Sequence, residues 1–190
     1  MPPGKELTRD ARSRLLNRHS CGRLTTPAPS GEVLDNILKA GLRAPDHGTL
    51  TPWQFILFEG EGRERLGTLL ADAARTRGED EDSIKKCSEA PLRAPLVVAV
   101  ATRYQAHPKV PRLEQELSAG CALMAMQMAA QAQGFNGIWR SGWFIFDEGI
   151  NQGLGLAPDD QLVGFLYLGT PMLEARKLRE LPIADFVRRF

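Results

Sequence analysis

Glu114 to Gly142 reads EQELSAGCALMAMQMAAQAQGFNGIWRSG, and this stretch decides the fold of the chain. From Ala119 to Ala132 every residue is small or apolar except Gln127 and Gln131. A helix with so little polar surface is covered by other structure on most sides, so the sequence predicts a buried central helix. We expect it to end near Gly134, because glycine readily adopts the left-handed conformation that terminates helices. The run is too short for a membrane-spanning helix, which needs about 20 apolar residues.

Small residues lie on more than one face of this helix and reduce its bulk. They allow another helix to approach closely, either the same helix of a second subunit or a neighbour within a monomeric core. Both interpretations fit the sequence. The small residues are Ala119, Gly120, Ala122, Ala125, Ala129 and Ala130.

The composition is that of an ordinary globular domain. The 190 residues are 43% hydrophobic and 25% charged with a formal net charge of +1, which does not favour a general nucleic-acid surface. Three cysteines without a Cys-x-x-Cys pair disfavour a disulfide framework or a zinc site. The N-terminus lacks a secretory signal, so we expect a cytoplasmic protein with one domain over residues 1–190.

Hydrophobic patterning divides the chain into interleaved helices and strands, which predicts an α+β sandwich rather than a doubly wound sheet. The proline-bearing segment Thr25–Pro29 is expected to have no regular structure. The predicted helices cover 8–17, 30–44, 61–77, a short stretch to 90, and 147–153. The predicted strands cover 53–58, 96–101, 138–141 and 161–168, with a loop over 142–146.

The last stretch, residues 172–190, contains isolated apolar residues among Arg, Lys and Glu. It is too poor in apolar residues to fold alone. We expect it to form an arm that buries Ile183, Phe186 and Phe190 either on a neighbouring subunit or on its own chain.

Two Arg and Ser pairs are the strongest candidates for a binding site. Arg18 with Ser20 follows the first helix, and Arg140 with Ser141 follows the central one. A guanidinium grips phosphate oxygens through paired hydrogen bonds, and a hydroxyl adds a donor, so converging pairs would hold a phosphate monoester. The sequence contains no glycine-rich phosphate loop, nucleophile elbow or zinc-type histidine pair.

Several short motifs, in order and spacing, resemble the flavin-dependent nitroreductase family, in particular its short bacterial branch. The resemblance covers almost the whole chain. The motifs are Asn17-Arg18-His19-Ser20, Leu42 to His47 with Pro52-Trp53, Lys109 to Arg112, Ser118 to Ala122 with Met128 to Ala130, Gly137 to Gly142, and Val163 to Pro171.

This resemblance implies a central, mostly antiparallel sheet flanked by helices, in an intertwined homodimer with FMN at the subunit interface. It assigns to FMN the residues Arg18, His19, Ser20, Trp139, Arg140 and Ser141, with Arg43 and His47 contributed by the partner subunit. It assigns to the nicotinamide nucleotide the residues Ala129, Ala130, Gln131, Ala132, Gln133 and Gly134. It supplies no metal ligand.

The chain departs from the family pattern at Gly22. Many larger members carry a lysine two residues after the serine, close to the pyrimidine edge of the flavin. A cation there stabilises the anionic reduced flavin. The sequence offers Arg43 of the partner subunit or Arg23 as its replacement.

The resemblance implies an oxidoreductase that takes a hydride from NAD(P)H onto FMN and then reduces nitroaromatics or quinones in alternating, ping-pong steps. Because the cofactor carries the bond chemistry, no catalytic acid, base or nucleophile is assigned. Two alternatives stay open: a flavin enone reductase or dehydrogenase on the same scaffold, and a dimeric flavin-binding protein without turnover.

Overall fold

The computed structural model describes residues 11–173 and 178–190. Residues 11–16 are helical. The longer helices are α1 (Gly31–Gly41), α2 (Glu61–Thr76), α3 (Glu81–Glu89), α4 (Arg112–Ala132) and α5 (Glu148–Gly153). The strands are β1 (Leu24–Thr25), β2 (Trp53–Glu59), β3 (Leu96–Thr102), β4 (Asn136–Arg140) and β5 (Gln161–Pro171). Short 3-10 helices cover His47–Thr49, Ala90–Arg93, Trp143–Phe146 and Ile183–Asp185.

The strands form one sheet in the order β1, β5, β3, β2, and β4 also pairs with β5. Each pairing between these strands is antiparallel, which confirms the predicted α+β class with an antiparallel sheet. The central strand β3, LVVAVAT, is buried along its whole length. A continuous apolar run is typical of a strand covered on both faces.

The sheet separates two apolar clusters, because successive side chains of a strand point to opposite faces. On one face, Val97 and Tyr167 belong to a cluster with residues of α2, α3 and α5. On the other face, Val98 and Leu166 belong to a cluster with residues of α1 and α4. The molecule is therefore a sheet packed between two helical layers.

Helix α4 is the predicted central helix, and its two sides differ sharply. One side is buried against the sheet and includes Ala122, Leu123 and Met126, each 0% exposed. The opposite side exposes large apolar residues within this chain, among them Leu113 (63%) and Leu117 (60%). The helix thus has an apolar face that residues 11–173 and 178–190 leave exposed.

Thr25, the first residue of the segment expected to lack regular structure, lies in β1, and β5 continues to Pro171 instead of ending before Gly169. One pairing explains both differences, because Thr25 lies opposite Thr170 and Leu24 lies opposite Pro171. These partners are far apart in sequence, so local propensity did not predict the pairing.

Other boundaries differ by a few residues. Helix α1 ends at Gly41, before the predicted stop at Ala44. Strand β4 begins at Asn136, because Asn136 pairs with Gly169. The expected loop after β4 contains the 3-10 helix Trp143–Phe146.

The described part of the C-terminal arm leaves its apolar side chains exposed, with Ile183 at 77% and Phe186 at 70%. Packing of the arm on a second subunit stays a prediction. The start of the predicted first helix at 8–10 and residues 174–177 of the arm lie outside the described residues. Within the described residues, no helix combines the length and apolar character needed to cross a bilayer.

Candidate functional site

The segment that carries Arg18, His19 and Ser20 is held against β4 and the end of α4. Cys21 N donates to Gly137 O on β4 over 2.9 Å. Gln131 Nε2, on α4, donates to His19 O over 2.7 Å. Arg18 Nη1 donates to Ser20 Oγ over 3.4 Å, and binding of a phosphate by this pair stays a prediction.

Buried Asn136 connects this segment to the helix. Its Nδ2 donates to His19 Nε2 (3.0 Å), while its Oδ1 accepts from Gln131 Nε2 (2.9 Å) and Gly137 N (2.7 Å). With Nε2 accepting, the proton of the neutral ring is on Nδ1, 3.2 Å from Asn17 O. Both ring nitrogens of His19 are therefore bound within the protein, and the ring is fixed in orientation.

A cavity of about 470 Å³ opens beside this segment. That volume lies within the roughly 300–1,000 Å³ typical of small-ligand pockets. Among the described residues, none of its arginines forms an ion pair with a carboxylate. Converging cations without counter-charges attract an anion. The polar lining of this basic cavity includes His19, Ser20, Arg23, Arg93, Arg140 and Arg179.

Arg140, at the end of β4, is the most enclosed of these arginines. Its Nε is buried and has no hydrogen-bond partner in the described part of the chain. Its guanidinium carbon lies 5.6 Å from the centre of the Tyr167 ring. Burial raises the pKa of Tyr167 to about 12, and the charges of Arg140 and then Arg93 oppose that rise. The Tyr167 hydroxyl therefore stays neutral beneath the cations at physiological pH.

Gly22 lies directly beside Arg140. A Cβ at position 22 would be 3.4 Å from Arg140 Nη2. The place where the resemblance implies a lysine in many larger family members is therefore next to a guanidinium of the same chain. Arg140 is therefore a third candidate for the cation at this place, beside Arg43 of the partner subunit and Arg23, whose roles stay predictions.

Trp139 points to the opposite face of β4 and lines a second, apolar groove of about 490 Å³. Its Nε1 donates to Val163 O over 3.3 Å. A Cβ on Gly164 would be 2.2 Å from Trp139 Nε1, so this position accommodates only glycine. The other side of the apolar groove is the exposed face of α4, with Leu113, Leu117, Cys121 and Met124.

The structure thus divides the residues predicted around β4. Arg140 joins His19 and Ser20 in the basic cavity, whereas Trp139 lines the apolar groove. Ser141 is exposed after the end of β4. The alternation of side chains along a strand makes this division unavoidable once β4 pairs with β5.

Arg43 and His47 lie outside the basic cavity of their own chain, on the exposed loop after α1. His47 Nδ1 lies 2.6 Å from Glu114 Oε2 at the start of α4. The same loop holds Thr49 (φ 52°) and Thr51 (φ 50°) in the left-handed region, which is rare for β-branched residues. This loop is fixed to α4, and its contact with a partner's cofactor stays a prediction.

Residues 129–134 form the end of α4 and the residues just after it, and they contact the segment that carries His19. Ala130 is completely buried, and Gln131 is committed to His19 and Asn136. Gln133 Nε2 donates to Ala129 O over 3.1 Å. Contact between this stretch and a nicotinamide nucleotide stays a prediction.

Two cavity residues, Arg93 and Arg179, were not predicted from the sequence. They lie on separate segments, one before β3 and one in the C-terminal arm. An isolated surface arginine gives no local signal. Only the convergence of four arginines in space marks them as part of one site.

Comparisons with known proteins agree with this architecture. The model of the nitroreductase family matches residues 15–170. The putative NAD(P)H nitroreductase YdjA of Escherichia coli strain K12 is 52% identical over 173 residues, covering 91% of this chain and 94% of that protein.

Two solved structures show the same fold. A nitroreductase-like family protein from Bacillus cereus matches with a TM-score of 0.82 at 21% identity, covering 95% of both chains. A putative nitroreductase from Desulfovibrio desulfuricans, solved in complex with FMN, matches with a TM-score of 0.73 at 20% identity, covering 95% of this chain and 96% of that one.

Proposed function

This chain belongs to the nitroreductase family. On that premise we propose that it is an FMN-dependent oxidoreductase, which takes a hydride from NAD(P)H and reduces nitroaromatic or quinone acceptors. The basic cavity is the observation that carries the proposal. Its arginines lack carboxylate partners among the described residues, and the buried Arg140 Nε lacks any hydrogen-bond acceptor there. An anionic ligand would satisfy both.

The residues present fit FMN. Ser20 and the cavity arginines supply donors for its phosphate, and Arg18, bonded to Ser20, steadies that hydroxyl. Arg140, beside Gly22, provides a cation that favours negative charge on a neighbouring ligand. FMN, when bound, supplies the ring that exchanges hydride and electrons, while the protein binds and orients it.

The segment that carries Ser20 is held in place before any ligand arrives. The Asn136 network fixes His19, and the hydrogen bond from Cys21 N to β4 fixes the segment that follows. Preorganised donors lose little conformational entropy on binding. The protein therefore contributes cofactor retention and electrostatics, and we assign no proton-transfer residue.

We further propose that the protein acts as a homodimer in which a second copy covers the apolar groove. Leu113, Leu117 and Met124 are exposed along one face of α4, and Trp139 continues that apolar surface. Contiguous apolar surface of this kind typically marks a protein interface. The partner's Arg43 and His47 would then complete the cofactor site, and its C-terminal arm would bury its apolar side chains.

The visible absorption spectrum of the purified protein tests the proposal. The protein is supplemented with FMN, desalted, and measured before and after anaerobic addition of NADPH or NADH. We expect a flavin band that survives desalting and bleaches with reduced nucleotide. A colourless desalted protein would contradict the proposal.

Two further outcomes separate the alternatives. A retained flavin that neither nucleotide bleaches would favour a flavin-binding protein without turnover. Bleaching followed by reoxidation with enones, but not with nitroaromatics or quinones, would favour an enone reductase. For the proposed oxidoreductase, initial rates against nucleotide and acceptor concentrations give parallel double-reciprocal lines.

A further inference from the structure

Arg93 lines the basic cavity, although the family resemblance assigns it no role. It is the last residue of the 3-10 helix Ala90–Arg93, and its side chain is exposed. Among the described residues it has no carboxylate within ion-pair distance. Its guanidinium is therefore free to bind a ligand.

The backbone that carries Arg93 is fixed by two contacts. Arg63 Nη1, on α2, donates to Ala94 O over 2.9 Å. Pro95 packs so closely on Gly169 of β5 that a Cβ at position 169 would be 2.7 Å from Pro95 Cδ. Because β1 pairs with the same end of β5, this packing holds Arg93 beside the segment that leads into β1.

The charge of Arg93 affects the pKa of the buried Tyr167 hydroxyl. Burial raises the pKa of Tyr167, Arg140 lowers it, and Arg93 lowers it as well. Tyr167 lies under the guanidinium of Arg140, with 5.6 Å between the guanidinium carbon and the ring centre. Arg93 and Arg140 thus act on one buried ring from the cavity side.

We infer that Arg93 is a further phosphate-binding residue of the cavity and binds the phosphate monoester of FMN, an inference that rests on the proposed function. A phosphate monoester carries about two negative charges near neutral pH and three oxygens that accept hydrogen bonds. The planar fork of a guanidinium binds two of those oxygens at once, which an ammonium group cannot reproduce.

Riboflavin provides the test, because it has the ring and ribityl chain of FMN but no phosphate. Flavin-free protein is titrated with FMN and with riboflavin, and flavin fluorescence is followed. The proteins are wild type, Arg93→Gln, Arg93→Lys and the control Arg65→Gln. Arg65 is an exposed α2 arginine whose partner Glu61 is 3.9 Å away, so its loss removes the same charge away from the cavity.

We expect Arg93→Gln to raise the Kd for FMN about tenfold or more and to change the Kd for riboflavin less than about twofold. Arg93→Lys should give an intermediate loss for FMN, and Arg65→Gln should match wild type.

Equal losses for FMN and riboflavin in Arg93→Gln would overturn the inference, because they would indicate a structural effect. Unchanged FMN affinity with a raised KM for NADPH would also overturn it and assign Arg93 to the nucleotide. In either case wild-type protein still binds FMN and the proposed function stands. Wild-type protein that binds neither flavin would overturn the proposed function together with the role of Arg93.

Discussion

Arg140 and Trp139 are neighbours on β4, yet they line opposite kinds of surface. Arg140 faces a basic cavity in which four arginines lack carboxylate partners among the described residues. Trp139 faces an apolar groove formed largely by exposed side chains of α4. The first surface is rich in cations, and the second is rich in exposed apolar side chains. On the proposed function, a small ligand would complete one face of β4 and a second copy of the chain would complete the other.

The two surfaces also differ in how closely their glycines are packed. We expect Gly164→Val to lower the free energy of unfolding by about 3 kcal/mol, because the added Cβ would overlap Trp139 and the Arg140 carbonyl. Gly22→Ala on the cavity side should change it by less than about 0.5 kcal/mol, since its Cβ meets Arg140 at ordinary contact distance. Denaturant unfolding of both variants checks this. Equal effects would mean that the groove side of β4 is not tightly packed.

A charge in the apolar groove should separate the subunits without unfolding them. We expect Leu117→Glu, at a side chain that is 60% exposed in the single chain, to raise the dimer Kd at least about 100-fold. Leu57→Glu, at a partly exposed position on β2, is the control and should remain dimeric. Sedimentation velocity at several concentrations measures both. A Leu117→Glu protein that remains dimeric would place the interface elsewhere.

Separate substitutions of Arg140 and Trp139 should affect cofactor binding and dimer formation independently. We expect Arg140→Gln to raise the Kd for FMN about tenfold while leaving the dimer intact, because it removes a charged donor from the cavity only. Trp139→Phe should weaken the dimer and leave the intrinsic flavin affinity nearly unchanged when it is measured at protein concentrations that keep the dimer. Fluorescence titration and sedimentation together test the pair. Loss of both properties in both variants would mean that the two surfaces form a single site.

The smallest expected effect concerns the ring beneath Arg140. The pKa of Tyr167 is raised to about 12 by burial, above its usual value of 10.0, so the folded state favours the neutral hydroxyl. This contribution to the free energy of unfolding is fully present below pH 10 and is lost as the pH rises towards 12. At pH 11 the loss amounts to about 1 kcal/mol.

Tyr167→Phe should remove this part of the alkaline decline when unfolding is measured between pH 9 and 11. Cys87 also has a pKa raised by burial and by Glu79, so both proteins should carry Cys87→Ala. An alkaline decline that is identical with and without the tyrosine hydroxyl would show that Tyr167 titrates normally.

Much of the architecture followed from local pattern. The apolar run of β3 predicted a strand covered on both faces, and the composition of α4 predicted a central helix. The exposed face of that helix was not evident, because Leu113 and Leu117 look like core residues in a sequence. Hydrophobic periodicity indicates which residues are buried, but it does not indicate whether the same chain or another subunit covers them.

The candidate site was predictable only in part. His19, Ser20 and Arg140 belong to short motifs and line the basic cavity, whereas Trp139 from the same motifs lines the apolar groove. The binding of FMN by these residues stays a prediction. Arg93 belongs to none of these motifs. It lies beside the cavity because the nearby Pro95 packs on Gly169. Such close approach between distant segments has no signature in either segment alone.

The sequence by itself determined most of the helices and strands and the α+β class, because these depend on local propensity and hydrophobic period. Its short motifs carried the resemblance to nitroreductases, and that resemblance implied the antiparallel sheet. Tertiary structure alone decided that neighbouring Trp139 and Arg140 serve different surfaces, and that four arginines from separate segments converge. The physical reason is that pairing with β5 sends successive β4 side chains to opposite faces of the sheet, and only long-range packing brings the remaining cations to one of them.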